Sequence, residues 1–124
     1  LQDIIGELKG HGIRTSVFVD PTEEMVQGAA LTGTDRIELY TEAYARHYSA
    51  DRDAAVAPFV RAAQAAAQAG LGLNAGHDLD LNNLRFLKQH LPNLLEVSIG
   101  HALVCDALYF GLENTIQMYL RELS

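Results

Sequence analysis

The chain has 124 residues, which is enough for one small domain or for a piece of a larger one. A net charge of −7 argues against nucleic acid binding through a broad basic surface. No apolar run reaches the roughly 18 residues that a transmembrane helix needs, so we expect neither a nucleic acid nor a membrane as partner. The single cysteine, Cys105, excludes an internal disulfide framework and fits a reducing compartment, which predicts a cytoplasmic protein.

The first residues, LQDIIGELKG, begin in the middle of a helix pattern. Leu1, Ile4, Ile5 and Leu8 have the spacing of one apolar helix face. The segment lacks an initiator Met, and it lacks the basic start and continuous apolar stretch of a signal peptide. We therefore expect a piece of a longer chain.

Strands and helices alternate along the rest of the sequence. Apolar and β-branched runs predict four short strands, at residues 13–19, 36–40, 71–74 and 94–99. Periodic apolar residues predict helices at 23–33, 51–70, 80–90, 102–109 and 112–123. The segment between the second strand and the longest helix is expected to be a connection with a short helical turn.

The longest predicted helix is rich in alanine, which gives it high helix propensity. Asp51 is expected to cap its start, and Gly70 to end it. The residues expected to face the core are Val56, Phe59, Val60, Ala63 and Ala67.

The alternation of strands and helices predicts an α/β fold with a parallel sheet and right-handed crossovers. Two architectures fit this order. The four strands could form a small open sheet, or they could be half of a (β/α)₈ barrel. Because a complete barrel needs about 250 residues, residues 1–124 would then be one half of a single barrel domain.

The carboxyl ends of parallel strands lie on one side of such a fold, where ligands bind. Two histidines, two carboxylates and two glycines fall at these ends, and together they predict an acid–base site. In chain order the residues are Asp20, then Glu38, Tyr40 and Thr41, then Asn74, Gly76 and His77, and finally Gly100 and His101.

His77 follows a glycine, which would let the backbone turn sharply and project the imidazole over the mouth of the site. An imidazole exchanges protons near neutral pH, so His77 is a candidate general acid or base. The alternative is a histidine that only binds a loop carbonyl.

Gly100 and His101 come directly before a predicted short helix that Gly111 interrupts. Unpaired backbone N–H groups at a helix start bind anions, and barrels often hold phosphate after the last strand. A phosphate site is therefore predicted here, with a plain strand-to-helix turn as the alternative.

Glu38 alternates with Ile37 and Leu39, so its side chain should point to the opposite face of the sheet. A carboxylate buried inside a barrel needs a partner or a role. Asp20 has a simpler interpretation as the cap of the following helix. Cys105 is expected to be a small packing residue.

The remaining histidines are expected at the surface, and their spacing predicts no zinc site. They are His11, His47 and His90.

Four segments, GIRTSVFVD, RIELYTEAYA, LNAGHDL and VSIGHALV, together resemble the pyridoxine 5′-phosphate synthase family of vitamin B6 biosynthesis, the PdxJ family. The resemblance runs through the whole chain in the same order and spacing. It covers the C-terminal half of the family's chain, from the fourth helix to the eighth strand–helix unit.

The resemblance implies a (β/α)₈ barrel that condenses 1-deoxy-D-xylulose 5-phosphate with 3-amino-2-oxopropyl phosphate, and a homo-oligomer in the complete enzyme. The products are pyridoxine 5′-phosphate, phosphate and water, and neither a redox cofactor nor a catalytic metal is implied. His77 corresponds to the family's general acid and Glu38 to its transition-state-stabilising carboxylate. The implied ligands of the aminoketone phosphate are Asp78, Gly100 and His101, although many relatives have glycine where Asp78 stands.

Two other functions also fit parts of the sequence. One is another phosphate-binding barrel enzyme, an isomerase or aldolase; a Schiff-base aldolase would need a lysine at a strand end, and neither Lys9 nor Lys88 is at one. The other is a non-enzymatic open-sheet binding domain with Asp20 as a receiver-like acid. Such a domain would carry lysine after the last strand, where this chain has His101.

Overall fold

The computed structural model describes residues 1–124. Strands and helices alternate as predicted, and none of the helices is long and apolar enough to cross a membrane. The strands are β1 (Ser16–Val19), β2 (Arg36–Tyr40), β3 (Gly72–His77) and β4 (Leu94–Ile99). The helices are α1 (Gln2–Gly10), α2 (Glu23–Leu31), α3 (Glu42–Tyr48), α4 (Arg52–Gln68), α5 (Leu84–His90), α6 (His101–Phe110) and α7 (Leu112–Leu123).

The four strands form one parallel sheet in the order β1-β2-β3-β4. Ile37 and Leu39 are fully buried on the side that the helices cover. Glu38 lies on the opposite face, as its alternation with them predicts. On that second face of β2, Arg36 and Glu38 are half-buried and Tyr40 is exposed.

The apolar core lies between the sheet and the helices. Its largest fully buried side chains are Tyr44, Phe59, Ile37, Leu39, Leu73, Leu79, Leu84, Leu87, Leu91 and Val26. The core therefore draws on β2, β3, α2 to α5 and the loop after β3, and it fixes the middle strands more firmly than the outer ones.

Helix α4 begins where the sequence predicts, because the Asp51 carboxylate accepts a hydrogen bond from the Ala54 N–H at 3.0 Å. The prediction of which α4 residues face the core is only partly right. Val60 is half-buried and Ala67 is exposed. The buried face is wider than one stripe because α4 packs against α2, α3 and β3 at once, and it includes Ala55, Ala62 and Ala66.

The cap of α2 is Thr22 and not Asp20. The Thr22 hydroxyl accepts a hydrogen bond from the Met25 N–H at 3.3 Å, whereas Asp20 is exposed two residues earlier. Thr22 is the residue with the extended backbone that an N-cap requires, and Asp20 stands too far from the first turn.

The boundaries of three other elements differ from the prediction by three residues or more. β1 begins at Ser16 and buries only Val19, because the strand lies at the edge of the sheet. β3 continues to His77, three residues beyond the predicted end, because it pairs with strands on both sides. α5 begins only at Leu84, because Asp80 and Asn83 hydrogen-bond each other's backbone N–H groups in the preceding turn.

Several apolar side chains predicted to pack are exposed. Of the predicted α1 stripe only Ile5 is buried, and Leu1, Ile4 and Leu8 face solvent. Cys105 is exposed on α6, a helix without any buried residue, so its interpretation as a packing residue is wrong. His90 was expected at the surface but is half-buried against the ring of Phe86, at 4.1 Å between centroids.

Candidate active site

The predicted site residues gather at the carboxyl edge of the sheet. Parallel register places Tyr40 beside Gly76, and His77 beside Ile99. His101 follows Ile99 by two residues, so both histidines lie at the same edge. Asp20 directly follows β1 at this edge too, but its side chain is exposed.

Glu38 and His77 form the central contact of the site. The Oε1 atom of Glu38 lies 3.6 Å from Nδ1 of His77, and its Oε2 accepts a hydrogen bond from the Ser98 hydroxyl at 3.3 Å. The Glu38 side chain is 16% exposed and that of His77 is 59% exposed. A shielded carboxylate thus backs an imidazole that faces solvent, which suits transfer of a proton to or from a bound molecule.

Gly76 makes this contact possible by leaving space. A Cβ atom on Gly76 would stand 2.7 Å from Oε1 of Glu38 and 2.6 Å from the carbonyl oxygen of Ser98. The sequence suggested instead that this glycine provides a turn. The left-handed backbone belongs to the next residue, since His77 has a φ of +99°.

Two aromatic rings, one from β1 and one from β2, lie beside the imidazole. The ring of Phe18 meets that of His77 edge-to-face at 4.9 Å between centroids, and Tyr40 lies 6.5 Å away. Phe18 and Tyr40 also contact each other at 5.3 Å. Edge-to-face packing restricts the ring orientations that His77 can adopt.

Asn74 is not part of this cluster, although the sequence placed it at the strand end. It lies two residues before Gly76, and its amide accepts from Arg36 at 3.3 Å and donates to Glu96 at 3.1 Å. Glu96 also pairs with Arg36 and with Arg14. This charged network lies one layer below the site. This network was not predicted, although Arg36 and Glu38 alternate along β2 and Glu96 and Ser98 along β4, which places all four on one face of the sheet.

Gly100 and His101 form the start of α6. Gly100 is the N-cap residue, no side chain caps the helix, and the first intrahelical bond runs from the Val104 N–H to the Gly100 carbonyl. The preceding N–H groups of the first turn have no intrahelical acceptor. Both Gly100 and His101 are exposed, so the turn is accessible to an anion.

Asp78 follows His77 and is exposed. Its backbone is held on both sides: the N–H donates to the Thr41 hydroxyl at 3.1 Å, and the carbonyl accepts from the Asn83 amide at 3.2 Å. Tyr44 anchors this turn from below, because its buried hydroxyl donates to the Asn83 carbonyl at 2.7 Å. Burial raises the pKa of the Tyr44 phenol, so Tyr44 stays a neutral donor.

No group of three or more histidine, cysteine, aspartate or glutamate side chains is arranged to hold a metal ion. The Glu38–His77 pair and the start of α6 are the two features of this edge that could bind a ligand and exchange protons with it.

A model of the family described as pyridoxal phosphate biosynthesis protein PdxJ matches residues 1–124. The chain belongs to the PdxJ family. Curated relatives share this assignment: pyridoxine 5′-phosphate synthase of Cytophaga hutchinsonii is 62% identical over 99% of the chain, and that of Flavobacterium johnsoniae is 57% identical over 99%. The match covers 52% of each relative, so this PdxJ chain spans about half the length of the curated relatives it matches.

Among solved structures, HMG-CoA lyase from Brucella melitensis superposes with a TM-score of 0.60 at 20% sequence identity. The superposition covers 99% of the PdxJ chain and 48% of the lyase chain. At this identity the likeness concerns the fold alone. The PdxJ chain has the fold of half a (β/α)₈ barrel, as the family resemblance implies.

Proposed function

We propose that the protein to which this chain belongs is a pyridoxine 5′-phosphate synthase. It would condense 1-deoxy-D-xylulose 5-phosphate with 3-amino-2-oxopropyl phosphate to give pyridoxine 5′-phosphate, phosphate and water. The observation that carries the proposal is the contact between Glu38 and His77 at the sheet edge, beside an uncapped helix start, in a chain of the PdxJ family.

His77 is proposed as the general acid. Forming the imine, losing water and closing the ring each require a proton to be delivered or removed near neutral pH. The imidazole faces the open side of the sheet, where a substrate would lie, and Glu38 stands behind it at 3.6 Å. Positive charge that develops on the ring or on a bound intermediate would be stabilised by the shielded Glu38 carboxylate, which is the proposed transition-state stabiliser.

Asp78, Gly100 and His101 are proposed to bind the aminoketone phosphate. The first turn of α6 offers unpaired N–H groups at the positive end of a helix dipole. The Asp78 carboxylate would repel a phosphate and the Asp78 N–H already donates to Thr41, so Asp78 is proposed to contact this substrate away from its phosphate group. A phosphate held away from the reacting atoms supplies binding energy and fixes the substrate's orientation.

We further propose that residues 1–124 are the C-terminal half of a single barrel domain. The other half would supply the remaining acid–base residues and most contacts to the pentulose phosphate. The complete enzyme is proposed to be a cytoplasmic homo-oligomer that needs neither a redox cofactor nor a metal.

The test is an assay of the full-length protein with both phosphorylated substrates, reading pyridoxine 5′-phosphate formation. His77→Asn should lower kcat by about 10² to 10⁴-fold, the range for loss of a general acid. Asparagine tolerates the left-handed backbone of position 77, so folding should be preserved. His47→Asn, at an exposed histidine on α3, is the control. No product from the parent protein would refute the function, and equal rates in His77→Asn would remove His77 from the chemistry.

A further inference from the structure

His77 has an unusual backbone. With a φ of +99° it is the only non-glycine residue of the chain with a positive φ. Residues other than glycine rarely adopt a positive φ, so this backbone conformation persists only where surrounding groups stabilise it. The position of the imidazole depends on that backbone, and whatever fixes the peptide groups on either side of His77 also aims the ring.

Both of those peptide groups bind one side chain, that of Thr41. Its hydroxyl donates to the Gly76 carbonyl at 2.7 Å and accepts from the Asp78 N–H at 3.1 Å. The backbone N–H of Thr41 donates to the same Gly76 carbonyl at 3.2 Å. Thr41 is fully buried directly after β2, where water does not compete for these bonds.

Only a hydroxyl performs both tasks at this position. The same oxygen must donate a hydrogen bond to the Gly76 carbonyl and accept one from the Asp78 N–H. The hydroxyl of serine or threonine does both, and valine does neither. If the hydroxyl is lost, the Asp78 N–H loses its partner in a partly buried position. The peptide after His77 is then free to rotate towards a more ordinary conformation, and the ring rotates with it.

We infer that Thr41 is a positioning residue that holds the imidazole of His77 against Glu38 and Phe18. The inference rests on the proposed function, because it gives Thr41 a role in the reaction through His77. Thr41 touches no substrate in this assignment. Its effect is to keep the Nδ1 atom of His77 at 3.6 Å from Glu38 and the ring edge-on to Phe18 at 4.9 Å.

The experiment compares Thr41→Val, Thr41→Ala and Thr41→Ser in the full-length protein. Valine keeps the shape without the hydroxyl, alanine removes both, and serine keeps the hydroxyl. Thr115→Val is the matched control, because the Thr115 hydroxyl is buried without any hydrogen-bond partner. Crystal structures report the His77 ring position, and steady-state kinetics report kcat and KM separately.

We expect Thr41→Val to move the His77 ring away from Glu38 and to lower kcat by about 10 to 100-fold, with little change in KM. A misplacement of about 1 Å is enough for the upper end of that range. Thr41→Ser should restore both the ring position and kcat, and Thr115→Val should change neither. If the valine variant does not fold, Thr41→Ala carries the same comparison with serine.

An unmoved His77 ring in both the valine and the alanine variant would overturn the inference, and so would an equal loss of kcat in the serine variant. The crystallographic comparison needs no turnover. A parent protein without synthase activity would therefore refute the proposed function, while the ring position would still decide whether Thr41 orients His77.

Discussion

Gly76 and Glu38 are in such close contact that no side chain fits between them. A Cβ atom at position 76 would stand 2.7 Å from the Glu38 carboxylate and 2.6 Å from the Ser98 carbonyl. The second of these atoms belongs to the backbone of β4 and cannot move aside like a flexible side chain. The glycine is therefore a condition for having a carboxylate behind the imidazole of His77.

Gly76→Ala should displace Glu38 and lower kcat of the full-length enzyme by about 100-fold, the cost of a misplacement of about 1 Å. Overpacking of this kind also costs about 1–3 kcal/mol of stability, so the melting temperature should fall. Gly28→Ala on α2 is the control, because a Cβ there meets no atom within 4 Å. If Gly76→Ala retained full kcat, the close approach of Glu38 would have no part in the reaction.

The strand that carries Gly76 is also the one whose end the sequence predicts wrongly. The bounds of β2 and β4 agree with the prediction, because their apolar residues are flanked by clear breaks. The end of β3 does not, because Asn-Ala-Gly-His has the composition of a turn. Pairing with a strand on each side overrides that local preference, as it often does in sheets.

The residues of the site were predictable as a group, but their contacts were not. Strand-end position alone brought Glu38, His77 and His101 to one edge. The role of Thr41 depends on hydrogen bonds to residues about thirty-five positions later, which leave no periodic pattern in the sequence. Asn74 was predicted at the carboxyl end of β3 and so in the site. Because β3 continues three residues further, to His77, Asn74 lies below the site and binds Arg36 instead.

The anion site proposed at the start of α6 is tested by two substitutions at the same residue. His101→Ala removes the imidazole and keeps the backbone N–H, whereas His101→Pro removes both. Proline is well tolerated at the first helical position, so α6 should remain folded. A hydrogen bond to a charged group contributes about 1.5–3 kcal/mol, so the KM for the aminoketone phosphate should rise about tenfold or more from alanine to proline.

The kinetic control for this pair is the KM for the pentulose phosphate, which should change far less in both variants. Equal KM values for the aminoketone phosphate in His101→Ala and His101→Pro would show that the N–H of residue 101 does not bind the phosphate.

The contribution of Asp35 to the stability of the fold depends on pH. The N–H of Thr15 and the ammonium group of Lys9 lower the pKa of Asp35 to about 2, from its ordinary value of 3.8. A lowered pKa means that the ionised carboxylate stabilises the fold above pH 3.8 and that this contribution disappears as the pH falls towards 2.

Asp35→Asn should therefore lower the melting temperature at neutral pH, and its difference from the parent should shrink between pH 4 and pH 2. Asp20→Asn is the control, because the Asp20 side chain is exposed and makes no hydrogen bond. A melting-temperature difference that stayed constant across this pH range would contradict the assigned pairing of Asp35.

The 124-residue chain by itself should form no pyridoxine 5′-phosphate and should self-associate. β1 and β4 each present an unpaired edge, which is a template for pairing with other chains. Beside β4 an apolar groove lies open between the sheet and α7, lined by Val97, Ile99, Leu103, Ile116 and Leu120. In a closed barrel this groove and both edges would be covered by the strands and helices of the other half.

Co-expression of the two halves of the full-length protein should suppress self-association and restore turnover, as gel filtration and the synthase assay would measure. In the control, an unrelated protein replaces the N-terminal half. That co-expression should neither suppress self-association nor restore turnover. Detectable synthase turnover by the 124-residue chain alone would contradict the prediction, because it would place the whole acid–base machinery on the four strands that carry Glu38 and His77.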